Sequence, residues 1–190
     1  GYDALREIAG VFIDPAGEPD FTVLANQLGV KTGYHRVEAE ARRLVTDRIL
    51  VAEVRRIAAL LPHFEPEVAR QAVAETMIAF PVYRSYLPEG AAHLTAAIDG
   101  ARRARPDLAE PLTMLDAAMR YDPGGELATR LQQTSGMVVA KGTEDTTFYR
   151  YTRFAALNEV GGNPDRFGLD VEEFDRLAAQ REAGHPAAMT

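Results

Sequence analysis

The sequence predicts a mainly α fold, an irregular helical domain with one long helix, and two observations carry that prediction. From Tyr34 to Leu61 there is no glycine or proline, and Val37, Ala41 and Leu44, then Leu50, Val54, Ile57 and Leu61, continue a stripe at helical spacing. At 1.5 Å per residue this helix would be ~40 Å long. Outside it, segments bounded by proline or glycine again place apolar residues three and four apart. With 190 residues and 46% hydrophobic composition, the chain can bury a core and fits a single domain over residues 1–190.

Each element follows from its own pattern. Leu5, Ile8, Ala9 and Phe12 make one face of a first short helix, with Asp3 as its cap. Asp14-Pro15-Ala16-Gly17 is a turn, and Phe21, Leu24 and Leu28 face one side of a second helix that stops at Gly29. Along the long helix, Arg36, Arg42, Arg43, Arg48, Arg55 and Arg56 alternate with Glu38, Glu40, Asp47 and Glu53, the pattern of a solvated, ion-paired face. Pro62 to Pro66 interrupts the chain. Ala69, Val73, Met77 and Phe80 then bury one side of the next helix, up to Pro81. The segment PVYRSYLP reads as extended between two prolines, and its tyrosines and arginine suit either a sugar or a core-packed loop. Further helices are predicted at about 90–105, 111–120 and 124–135, and Met137 to Ala140 is apolar enough for a short strand but too short to decide. Asp170 with Glu173 forms a capping box for a last helix.

Composition removes several functions. A formal net charge of −7 argues against a nucleic-acid partner, which needs clustered Lys and Arg to neutralise phosphates. Zero cysteines exclude disulfides and thiolate metal sites. No apolar run approaches the ~20 residues of a membrane span, and no signal peptide opens the sequence, so the expected setting is the cytoplasm, away from membranes. There is no Walker loop, GxGxxG, GxSxG or HExxH. His35, His63, His93 and His185 are scattered without ligand spacing, so neither metal nor other cofactor is implied. The chain opens within a helix start and stops at Met189-Thr190 without a terminal element, as an excised piece would.

The densest mixture of polar, charged and aromatic residues runs from Gln132 to Gly168 and reads as the ligand-facing stretch. A helix is predicted from Thr143 or Asp145, either of which could cap it, to Glu159 before Gly161-Gly162, followed by a turn at Asn163-Pro164-Asp165. It is apolar on two sides, through Phe148, Tyr151 and Ala155 and through Phe154 and Leu157, so it is largely buried. Because it also carries Arg150, Arg153, Asn158 and Glu159, it needs polar partners. The glycine after Lys141 would let the backbone turn and the ammonium reach out of the helix entrance.

Within that stretch, AKGTEDTTFYRYTRFAALNEVGGNPDRFG resembles the maltooligosyltrehalose synthases of the α-amylase superfamily, whose segment runs close to AKG-x-EDTAFYRY and then LNEVGG. GYDALREIAGVFIDPAGE at the start, ILVAEVRR at 49–56 and AFPVYRSYLP at 79–88 agree with the same family. The departures are small: Thr147 stands where alanine is usual, Thr152 where asparagine is usual, and Phe174-Asp175 where Phe-His is usual.

The resemblance implies a helical region inserted in a (β/α)8 barrel of a longer enzyme, which converts the reducing-end α-1,4 bond of a maltooligosaccharide into an α,α-1,1 bond. The partners it implies are the maltooligosaccharide and the remainder of the same enzyme. Glycosyl transfer needs flanking carboxylates, and Glu144 and Asp145 invite that role. As adjacent residues at a helix start they point apart and suit capping better. In the family, two catalytic carboxylates precede this region and a third lies in a Thr-His-Asp-Thr-Lys-Arg segment that would follow Thr190, so no catalytic residue is expected here. The implied role is the wall of a closed pocket around the reducing end. Candidates to line it are Lys141, Glu144, Asp145, Tyr149, Arg150, Tyr151 and Arg153, because charged and hydroxyl groups grip sugar hydroxyls and aromatic rings stack on sugars. Asn158 and Glu159 read as internal supports. A free-standing helical binding or interaction module without catalysis is the alternative reading.

Overall fold

A computed structural model of the chain describes residues 2–30 and 32–184, leaving aside the side chain of Asp3. The expected cap at Asp3, the reading of His185 and that of the Met189-Thr190 end therefore lie outside the described residues. Among the described residues, helical segments make up 72% and there is no strand. The chain divides into two compact units, residues 36–147 and residues 1–35 with 148–190.

The middle unit is built around α5 (Pro66–Ile78), which packs against α4 (Val51–Ala58), α6 (Ala91–Ala104), α7 (Ala109–Tyr121) and α8 (Glu126–Val139). A helix with neighbours on so many sides must be apolar nearly all round, and Ala69, Ala72, Val73, Ala74, Thr76 and Met77 are all buried. The alanines let neighbouring backbones come close. Thr76 satisfies its hydroxyl by donating to the Ala72 carbonyl at 2.9 Å. Glu75 is buried in the same helix and takes a two-point grip from Arg43, whose Nη1 and Nη2 stand 2.6 and 2.9 Å from its oxygens. That pairing raises the Arg43 pKa.

The predicted long helix is interrupted. The α3 helix (Tyr34–Leu44) passes into a π-helical turn (Val45–Ile49), then breaks at Leu50 before α4. The Leu50 amide bonds the Val45 carbonyl at 2.8 Å, five residues back, and the Thr46 hydroxyl bonds the Arg43 carbonyl at 3.0 Å. Its charged face is also only partly solvated. Arg36–Glu40 and Arg56–Glu53 are exposed pairs, whereas Arg42 is buried and Arg43 turns to Glu75.

Met137–Ala140, too short to decide from its sequence, is helix. The buried residues Leu131, Gln132, Ser135, Val138 and Val139 follow helical spacing, but two of them are polar and hide the apolar period. The helix then runs through a π-helical segment (Ala140–Thr147) into α9 (Phe148–Arg150) and ends there, nine residues before Glu159. No helix starts at Thr143 or Asp145, so neither is an N-cap. The end has a local cause. The Asn158 side-chain amide donates to the Phe148 and Tyr151 carbonyls at 2.7 Å each, taking acceptors a continuing helix would use. Phe154 is then extended and packs its ring 4.5 Å from Phe21 and 5.3 Å from Phe167.

In the other unit, α1 (Tyr2–Val11) lies against α10 (Val171–Gly184), joined by Arg181 Nη1 to Glu7 Oε2 at 2.6 Å. Asp170 caps α10 through the Glu173 amide at 2.7 Å. The α2 helix (Glu18–Gln27) contributes Phe21 to the three-phenylalanine cluster and ends through Gly29 at φ 97°. Leu5, Ile8, Phe12, Leu24 and Leu28, expected on buried faces, are exposed among the described residues.

Candidate functional site

The π-helical segment Ala140–Thr147 carries three of the seven candidates, and its shape follows from what lies beneath it. Gly142 has no side chain, which lets the segment settle onto Arg42 of α3. Arg42 Nε donates to Thr143 Oγ1 at 3.1 Å, its Nη1 to the Ile78 and Phe80 carbonyls at 3.0 and 2.7 Å, and its Nη2 to Glu38 at 2.8 Å. Thr143 donates in turn to Glu38 at 2.9 Å. The hydroxyls of Thr146 and Thr147 bond the carbonyls of Lys141 and Gly142, five residues back, at 2.8 and 2.7 Å. Such wide turns recur at functional sites.

On the outer surface, Lys141 Nζ pairs with Asp145 Oδ2 at 2.8 Å, and both side chains are exposed. Lys141 therefore lies along a helix face. The expected sharp turn at Gly142 is absent, since that glycine is inside the helical run. Glu144 accepts a hydrogen bond from the Tyr83 hydroxyl, so Glu144 and Asp145 point to different partners, as their adjacency implied.

The other four candidates belong to the second unit. Tyr149 is 82% exposed and Arg150 is exposed. Tyr151 is buried edge-on against Tyr34, ring centres 5.6 Å apart, and burial pushes its hydroxyl pKa up. Arg153 is turned inward. Its Nη1 reaches Glu18 at 2.7 Å, its Nη2 the Pro164 carbonyl at 2.8 Å, and the guanidinium lies 5.3 Å from the Phe167 ring centre. The Asn163 turn is present, with the Asp165 amide on Asn163 Oδ1 at 3.1 Å. Asn158 is the expected internal support, whereas Glu159, expected beside it, is exposed.

This same unit holds a cavity of about 200 Å³, walled mainly by Leu5, Ile13, Leu157, Val160 and Leu169. None of the seven candidates lines it, although most of its wall comes from the motif stretches GYDALREIAGVFIDPAGE and LNEVGG. Among the described residues, no group of three or more His, Asp or Glu side chains could hold a metal, and no helix is long and apolar enough to cross a membrane. Tyr83, Arg42 and Gln132 are the structurally informative residues that were not candidates. Only Tyr83 had a signal, its place in PVYRSYLP.

No protein-family model matches the chain. Over 204 aligned residues, covering all of it, the chain is 39% identical to a protein of Mycobacterium tuberculosis assigned as a maltooligosyl trehalose synthase. The solved maltooligosyltrehalose synthase of Arthrobacter ramosus is 42% identical over 96% of the chain, with a TM-score of 0.88. A solved glycosyltrehalose synthase is 27% identical over 95% of the chain, with a TM-score of 0.72. The chain spans only 25% of the length of the mycobacterial relative, and 24% and 22% of the two solved chains. It is thus similar, end to end, to one helical region of these synthases.

Proposed function

We propose that the chain is the helical substrate-pocket region of a maltooligosyltrehalose synthase, inserted in its catalytic (β/α)8 barrel. The complete enzyme is an isomerase that turns the reducing-end α-1,4 bond of a maltooligosaccharide into an α,α-1,1 bond, in the cytoplasm. The observation that supports this most is the agreement along nearly the whole chain, at 42% identity, with a synthase of known structure. The carboxylates that break and remake the glycosyl bond belong to the rest of the enzyme, and this region holds the sugar.

The exposed polar groups of the π-helical segment suit that task. The Lys141–Asp145 pair is solvated, and such pairs are worth ~0–1 kcal/mol. A sugar hydroxyl can displace it at little cost and gain a charge-assisted bond worth ~1.5–3 kcal/mol. Glu144 is held in one orientation by the Tyr83 hydroxyl and presents its carboxylate as an acceptor. In the other unit, Tyr149 exposes its ring, while Tyr151 and Arg153, packed inward, position the chain that follows α9.

The test is Lys141→Ala in the complete enzyme with maltopentaose as substrate. Trehalose-ended product should form with kcat/KM roughly ten- to a hundredfold lower, at an unchanged melting temperature. Unchanged kinetics would leave Lys141 a surface charge and remove the support for this face as the sugar contact.

A further inference from the structure

The loop between α5 and α6 is held more firmly than a connection needs to be. Ser85 is buried and donates to Gln132 Oε1 at 3.1 Å, and the same oxygen accepts the Leu87 amide at 2.9 Å. Ser135 donates to the Tyr83 carbonyl at 2.9 Å, and the Gly90 amide closes the loop on the Tyr86 carbonyl at 3.1 Å. A β-carbon on Gly90 would run into the Ser85 carbonyl, and one on Gly136 would stand 3.3 Å from the Tyr83 carbonyl. Glycine is therefore needed where the loop folds on itself, and at Gly136 it lets α8 approach closely.

What this scaffold presents is unusual. Tyr86 adopts φ 54°, a left-handed conformation that bulky side chains seldom take. The strain does not bury the ring, which remains 66% exposed. The Arg84 guanidinium lies 5.0 Å from the Tyr86 ring centre, and Tyr83, 42% exposed, reaches the Glu144 carboxylate. An exposed tyrosine at a strained position contributes nothing evident to folding. Glycine or asparagine would fit that backbone better.

We infer that residues 83–86 form a sugar-binding platform. The Tyr86 ring takes the apolar face of a glucosyl unit, Arg84 donates to its hydroxyls, and the Tyr83–Glu144 pair links the platform to the π-helical segment. The charges nearby favour a neutral polyhydroxyl ligand over an anion, since Arg84 and Lys141 are matched by Glu144 and Asp145. The ligand class, an α-1,4-glucan chain, rests on the functional reading above. Given that reading, the platform holds a glucosyl unit next to the one held by Lys141 and Glu144.

Isothermal titration of the complete enzyme with maltoheptaose tests the platform without relying on turnover. Tyr86→Ala and Tyr86→Gly should each weaken binding roughly five- to tenfold, and Tyr86→Phe should restore it to within about twofold. Tyr86→Gly relaxes the backbone, so its loss of affinity cannot be blamed on misfolding. Affinities within twofold of wild type in both Tyr86→Ala and Tyr86→Gly, or no maltoheptaose binding by the wild-type enzyme, would overturn the platform. If binding depends on Tyr86 but no trehalose-ended product ever forms, the platform stands and the synthase reading falls.

Discussion

Gly142 lies so close to Arg42 that a β-carbon on the glycine would stand 2.5 Å from the Arg42 Cγ and 2.9 Å from its Cα. The Cα cannot swing away as a side-chain tip would, so Gly142→Ala must shift either α3 or the π-helical segment. Overpacking of this kind costs ~1–3 kcal/mol. Thermal melting should fall by several degrees. A variant that melts with wild type would show that the two backbones are not in close contact.

Asn158 should be equally intolerant, for an electrostatic reason. Its amide donates to the Phe148 and Tyr151 carbonyls, and Asn158→Asp replaces that donor by a carboxylate facing two carbonyl oxygens. A loss of ~2–4 kcal/mol is expected at neutral pH, with Asn158→Ala less damaging because it adds no repulsion. Denaturant melts of the two variants decide it, and equal stabilities would contradict the assigned hydrogen bonds.

These two residues also mark how far the sequence could be read. Stripes such as Ala69, Val73 and Met77 located helices because their apolar spacing is intact. The end of the helix at Arg150 was not legible, since it depends on an amide eight residues away, and Phe148, Tyr151 and Ala155 keep helical spacing after the helix has stopped. Gln132 and Ser135 are buried because they hold the loop at residues 83–87, and as polar residues they broke the pattern that would have revealed α8 beyond residue 135. Arg42 looked like one more charge on a solvated face. Its burial follows from acceptors at Ile78, Phe80 and Thr143, far along the chain. The candidate stretch itself was legible from its composition, but which of its residues face outward was not.

Acid should expose one ion pair in particular. Hydrogen bonds from Arg70 and then Gln71 hold the Glu67 carboxyl at about 2, below its ordinary 4.5. A depressed folded value means stability that is fully present above pH 4.5 and is lost as the pH falls through about 2. Because Glu67 is exposed, the effect is screened, and Glu67→Gln should lower the melting temperature by roughly one or two degrees at pH 7. That gap should close by pH 2. A gap that stays constant down to pH 2 would contradict the pairing.

If the proposed function holds, residues 1–190 on their own should form neither trehalose-ended product nor glucose from maltopentaose, because that function leaves the transfer carboxylates outside them. Product formed by the purified piece would place those carboxylates within it.

The most direct measurement is made on the longer enzyme proposed to contain this chain, incubated with maltopentaose while reducing ends and chain length are followed together. Reducing ends should disappear while the five-glucose chain length is kept, leaving a product that ends in an α,α-1,1 bond. Reducing ends that persist, or rise as glucose is released without any trehalose-ended product, would contradict the proposed function.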